Sequence, residues 1–186
     1  MSKIKIIDIT LELGENIKIY EGDPHIRLEK FYSIETNGFA LTKMSMGSHS
    51  GTHVDAPSHV IPMGKNVREI PLSCFVGECV VVDNNKVPEN TKKLLMKSTD
   101  KCEAMLNEKQ AKQLADAGVK LIGTDALSIG NDKVHEILLS EECVILESLK
   151  LNKAEAGKKY FLCALPLKLN TDGAPLRACL IEGWGE

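Results

Sequence analysis

Apolar residues along this chain gather mostly in short runs of strand length. Lys5 to Leu11 (KIIDITL) alternates weakly between apolar and polar positions, the period of two expected of a strand with one buried face. Phe39 to Met46 is a second strand candidate, and Glu78 to Asp83 (ECVVVD) is a short apolar run of the buried-strand kind. Val119 to Asp125 (VKLIGTD) and Cys143 to Glu147 (CVILE) read the same way. Near the C-terminus, Lys159 to Leu169 and Ala174 to Glu182 read as two strands joined at the polar stretch Asn170 to Gly173. The period lengthens in two places. Asn107 to Ala117 (NEKQAKQLADA) predicts a helix, with Asn107 as its cap, Gln110 at the capping-box position and Gly118 as its stop. A shorter helix is predicted over Lys133 to Leu139, and Gly22-Asp23-Pro24 predicts a turn. Strands dominate, with a few helices between them. That is the pattern of an α/β or α+β fold, a mixed β-sheet core with helices packed against it.

The 186 residues fit one domain spanning 1–186, and no repeat, low-complexity tract or linker divides them. Hydrophobic residues at 43% and charged residues at 26% are ordinary for a globular protein. The formal net charge is -3 and no long run of Lys or Arg occurs, so nucleic acid is not an expected partner. Lys3, Lys5, Asp8 and Glu12 interrupt the N-terminal apolar residues, which argues against a signal peptide. No apolar stretch approaches the roughly 18 residues that cross a bilayer, so no membrane partner is expected and the cytoplasm is the expected location. None of the six cysteines forms a C-x-x-C pair, and most lie among Val, Ile, Leu or Phe. They read as reduced, buried thiols.

The chemistry concentrates in one segment. Three of the five histidines fall within His49-Ser50-Gly51-Thr52-His53-Val54-Asp55-Ala56-Pro57-Ser58-His59. Neutral imidazole and carboxylate are common ligands of Zn, Mn and Fe. In an extended chain, alternation would put His49, His53 and Asp55 on one face, with Gly51 leaving space between them. Pro57 should end the strand and let His59 approach from the side. A helix would turn Asp55 away, and Gly51, Thr52 and Pro57 disfavour one. A single such histidine would read as a loop residue; three with an aspartate at these intervals read as a metal site. From pattern alone, His135 reads as a helix-surface residue and Glu147 as a strand end.

The segment HSGTHVDAPSH resembles the signature of the cyclase-type metal-dependent hydrolases, the family that includes the bacterial kynurenine formamidases (arylformamidases). YEGDP at Tyr20 to Pro24, GTDALSIG at Gly123 to Gly130, and ALPLKL with DGAPLRACL between Ala164 and Leu180 are similar to further segments of that family. The polar, lysine-rich stretch from Asn84 to Lys101 contributes nothing to the resemblance. The resemblance implies a swivelling β/β/α fold and a metal held by His49, His53 and Asp55. It implies a second metal reached by Asp55 and held by His135 and Glu147, which share the family's twelve-residue spacing. It makes His59 the general acid/base and places Tyr20, often Trp in the formamidases, at the substrate. Tyr20 also fits the plainer part of a packed loop anchor. The implied cofactor is a pair of divalent cations, Zn or else Mn, roughly 3.5–4 Å apart, that activate water against an amide. The implied partners are a small-molecule amide substrate and a second copy of the chain, with the apolar C-terminal strand offering an end for pairing.

The implied reaction is conversion of N-formylkynurenine to kynurenine and formate. Hydrolysis of another amide, lactam or cyclic imide is the alternative, followed by a metal-binding relative without catalysis. No G-x-S-x-G elbow supports a serine hydrolase. The cysteines lie outside the histidine segment, which argues against a structural zinc protein.

Overall fold

A computed structural model describes residues 3–83 and 87–185, so that 84–86 of the lysine-rich stretch lie outside the described residues. In chain order the elements are β1 (Lys5–Asp8), β2 (Arg27–Tyr32), α1 (Ile34–Asn37), β3 (Leu41–Ser45), β4 (His53–Asp55), β5 (Val76–Val82), β6 (Lys93–Met96), α2 (Glu108–Asp116), β7 (Leu121–Thr124), α3 (Asp132–Ser140), β8 (Val144–Glu147), β9 (Lys159–Pro166) and β10 (Gly173–Glu182). The main sheet runs β1-β10-β4-β8-β7-β6-β5-β9, and β10 also pairs with β9. Strands β4 to β10 therefore close into a barrel, with β1 attached along β10. The sheet is mixed: β5 to β8 pair parallel in the order β5-β6-β7-β8, and the other pairings are antiparallel. With helices packed on it, this is the expected α/β architecture.

The parallel strands explain the continuous apolar runs. Val81, Leu95, Leu121 and Leu146 face the barrel interior, among Phe75, Tyr160, Leu162, Leu176 and Leu180. Their neighbours Val80, Val82, Leu94, Met96, Ile122 and Ile145 face outward, against Ala111 and Leu114 of α2 and Val134 and Leu138 of α3. Strands covered on both faces have no reason to alternate. Helix α2 forms as its sequence dictates: the Asn107 side chain accepts the Gln110 N–H at 3.0 Å, and the Gln110 side chain accepts the Asn107 N–H at 2.9 Å.

Several boundaries differ from the sequence reading. β1 stops at Asp8 rather than Leu11, because the Thr10 hydroxyl substitutes for ladder bonds to Ala178, donating to its carbonyl and accepting from its N–H. The Phe39 to Met46 candidate narrows to β3 and pairs with β2 in a separate two-stranded sheet. The expectation that the C-terminal strand has an end free for a partner is corrected. β10 is paired with β4 over its first residues, with β9 along its middle and with β1 toward its end.

Candidate metal centre

β4 and β8 lie side by side with His53 opposite Glu147. Val54 and Leu146 point into the barrel, so by alternation His53, Asp55 and Glu147 point outward, toward the helices. Here α3 packs back on β8 and carries His135. All four side chains are buried. His49 arrives by a different route from the one its spacing predicts. The strand starts only at His53, and residues 48–52 form a turn. Gly51 in that turn has φ 65°, and a Cβ there would lie 2.4 Å from Leu13 Cδ2, so glycine serves the bend rather than an open face for a cation. Pro57 does end the strand, and Pro57–His59 forms a short helical turn that presents His59.

The donor atoms converge. Asp55 Oδ1 is 2.8 Å from His49 Nδ1 and 3.2 Å from His53 Nε2. Asp55 Oδ2 is 3.5 Å from His135 Nε2 and is buried without a hydrogen bond. Glu147 Oε1 accepts the Ile129 N–H at 2.7 Å and lies 3.1 Å from His135 Nε2, while Oε2 is 3.7 Å from His53 Nε2. The far nitrogen of each ring is anchored: His53 Nδ1 on the Gly51 carbonyl at 2.8 Å, His135 Nδ1 on the Asn131 carbonyl at 3.1 Å. A carbonyl only accepts, so both Nδ1 atoms carry protons and both Nε2 atoms are free to ligate. His49 is turned the other way, with Nε2 on Asp172 at 2.8 Å and Nδ1 inward.

Inward lone pairs facing carboxylate oxygens at these distances need a positive charge between them. Protons can supply it in part. Burial opposes the charge on His49, but the Asp55 and Asp172 carboxylates outweigh it and the imidazole is pushed up to about 9. His135 is likewise pushed up to about 10 by Asp55 and Glu147 against burial. His53 is raised by Asp55 and Glu147 against the same opposition. Burial works against the Asp55 carboxylate, yet the surrounding histidines hold it well below its ordinary value. A cation satisfies the cluster more fully, because it also reaches the orphaned Asp55 Oδ2. Imidazoles and carboxylates without thiolate are a donor set suited to Zn or Mn. Side-chain donors of His53, Asp55 and Glu147 lie within 4.8 Å of one another, as do those of His49, Asp55 and His59.

The remaining expected residues line a cavity of about 190 Å³ over these donors, with Asp23, Val60, Leu127 and Asp132. His59 is one-third exposed, its ring centroid 4.1 Å from that of His49 and 6.0 Å from that of His135. Tyr20 stands on the rim, 60% exposed. The fifth histidine, His25, is exposed. Sequence reasoning missed Asp172, which reaches both His49 and His59 Nδ1, the latter at 3.4 Å. It sits in the turn before β10, and only the pairing of Gly173 with Asp55 brings that turn to the site. The same pairing explains Gly173, whose Cβ would lie 2.5 Å from His49 Cε1.

Known proteins resemble this chain over nearly its whole length. Residues 7–110 match the family model described as putative cyclase. The kynurenine formamidase of Erythrobacter litoralis is 31% identical over 207 residues, covering 97% of this chain and 95% of its own. That of Bacillus anthracis is 30% identical over 207 residues, covering 97% of this chain and 99% of its own. A solved structure described as a potential metal-dependent hydrolase with cyclase activity is 29% identical, with a TM-score of 0.80 over 97% of this chain and 98% of that one.

Proposed function

The chain belongs to the putative cyclase family, and from that premise we propose that it is a metal-dependent amidohydrolase of the kynurenine formamidase type, cleaving N-formylkynurenine to kynurenine and formate. The observation that carries this is the convergence of three imidazoles and two carboxylates on a buried point where Asp55 Oδ2 has no hydrogen-bond partner. His49, His53, Asp55 Oδ1 and Glu147 Oε2 would hold one divalent cation. Asp55 Oδ2, Glu147 Oε1 and His135 would hold a second, and the facing of both carboxylates toward both corners supports a pair of Zn ions, with Mn the alternative. Bound there, such cations supply Lewis acidity at a substrate carbonyl and bring the pKa of water toward neutrality.

The chain's own groups complete the reaction. His59, on the open side of the cavity, gives a proton to the departing amine and is reprotonated from solvent, which also takes the proton that the attacking water loses. The C–N bond breaks, a C–O bond forms, and amine and formate leave. Tyr20 on the rim stacks on the aryl part of the substrate, its hydroxyl free for hydrogen bonding. Val60 and Leu127 add apolar surface to the same cavity.

We further propose one hydrolase domain over the whole chain, a cytoplasmic location and a homodimer. Among the described residues no helix is long and apolar enough to cross a membrane. The β2–β3 hairpin supports the dimer. It exposes Leu28, Phe31, Leu41 and Met44, and a lone two-stranded sheet is marginal in water.

The test strips the enzyme with a chelator, restores Zn or Mn, and follows N-formylkynurenine by absorbance beside a lactam and a cyclic imide. Metal-dependent turnover of the formamide supports the proposal. Turnover of only the lactam or imide moves the chain to the alternative within the family, and no turnover of any substrate rejects catalysis by this site.

A further inference from the structure

Asp172 has no part in the reaction as derived so far, yet it touches both halves of the site. Its Oδ2 accepts the His49 Nε2–H at 2.8 Å and lies 3.4 Å from His59 Nδ1, while its Oδ1 accepts the Ser48 hydroxyl at 3.2 Å. Its backbone is fixed independently of those contacts. The Asp172 carbonyl accepts the N–H of Ala56 at 2.8 Å, one residue beyond Asp55, and the Thr171 hydroxyl bonds the Gly173 carbonyl at 2.7 Å. Val67 N–H bonds the Thr171 carbonyl at 3.0 Å. Gly173 then lets the His49 ring lie directly against the chain. The carboxylate is thus delivered by the β10 turn to a fixed place behind His49, on the side of the ring away from Asp55. There it faces the ligand's outer nitrogen and is no ligand itself.

We propose that Asp172 is a positioning residue with two tasks: it holds His49 with Nδ1 turned inward, and it holds His59 through Nδ1 so that Nε2 is the nitrogen presented to substrate. The physical reason is the same for both rings. An imidazole has two nitrogens, and the one bonded to a fixed carboxylate carries the proton, which leaves the other as a lone pair with a set direction. A ligand-bearing histidine orientated by an outer carboxylate is a recurrent metal-site device, and a base orientated by a third group is its catalytic counterpart. Here one oxygen serves both. Removing it should damage proton delivery to the leaving group as well as metal retention, and these two effects separate experimentally. This inference rests on the hydrolase reading and on His59 as the proton carrier.

The test uses full-length Asp172→Asn, with Asp172→Ala beside it, loaded with saturating Zn and checked for metal content and thermal stability. Each is assayed on N-formylkynurenine and on an activated aryl formate ester, whose phenolate leaves without a proton. The expected result is kcat on the amide lowered about 10- to 100-fold with KM changed less than about threefold, at full metal content, and a loss of less than about threefold on the ester. Zn affinity, measured by competition with a chelator, should also fall. Equal losses on amide and ester, full recovery of the amide rate once metal saturates the site, or no loss at all would each overturn the proposal. The wild-type control keeps the two claims apart: a wild type inactive on the amide rejects the function itself, whereas an active wild type matched by Asp172→Asn rejects only this role.

Discussion

Asp55 is the residue on which the site turns. It is buried, it faces three imidazoles, and one of its oxygens has no hydrogen bond. A carboxylate in that position is costly unless a cation meets it. Asp55→Asn should therefore lose bound metal and all measurable turnover, which elemental analysis after dialysis and a rate assay check together. His59→Ala should behave differently: it keeps wild-type metal content and loses about 10²- to 10⁴-fold in kcat, the usual share of a general acid/base. Release of metal with activity restored by excess cation would make His59 a ligand instead. The spacing of His49, His53, Asp55 and His59 was enough to show that these side chains meet, because the distances involved are short along the chain. It did not show how. The extended path drawn through Gly51 is a left-handed turn, set by contacts with Leu13 that no local pattern records. Asp172 was invisible for a related reason, since it lies 123 positions from His49 and only strand pairing joins them.

At the scale of elements, the site exists because β4 is inserted between β8 and the start of β10. Glu147 comes from one neighbour, and the other brings the turn that backs His49. His135 and Glu147 are 12 residues apart and meet only because Val134 and Leu138 seat α3 on the outer face of β8 beside Ile145. Gly173→Ala tests this dependence. A Cβ at 2.5 Å from His49 Cε1 must displace the ring or the strand, at a cost of about 1–3 kcal/mol. A lower melting temperature with weaker metal retention is expected; unchanged metal retention would mean that His49 has slack the structure does not show. Helix α2 was legible to its caps because Asn107, Gln110 and Gly118 act on their own neighbours. Strands β2 and β6 were not. β6 has only Leu94, Leu95 and Met96 as a buried run within a lysine-rich stretch, and β2 is exposed along nearly its whole length.

For the whole molecule, cluster charge couples metal, protons and stability. His49 is pushed up to about 9 and His135 to about 10, both above the ordinary 6.5 of histidine. A raised folded-state value means that each protonated ring stabilises the metal-free protein below about pH 6.5 and that this contribution fades as pH rises through 9 to 10. Asp55, held low, contributes with the opposite sign: its share is present above about 3.8 and is lost as acid protonates it. Metal-free protein should thus show a melting temperature that falls between pH 6.5 and 10. Zn should raise it at every pH, by a margin that widens toward alkaline pH as fewer protons are displaced. A flat metal-free profile over that range would contradict the charge arrangement. The most direct measurement is anomalous scattering, recorded on either side of the Zn absorption edge from crystals grown with Zn. The expected result is a peak enclosed by His53 Nε2, Asp55 and Glu147 Oε2, with a second between Asp55 Oδ2 and His135. Full Zn occupancy elsewhere in the molecule with no density there would contradict the metal centre, and with it the hydrolase.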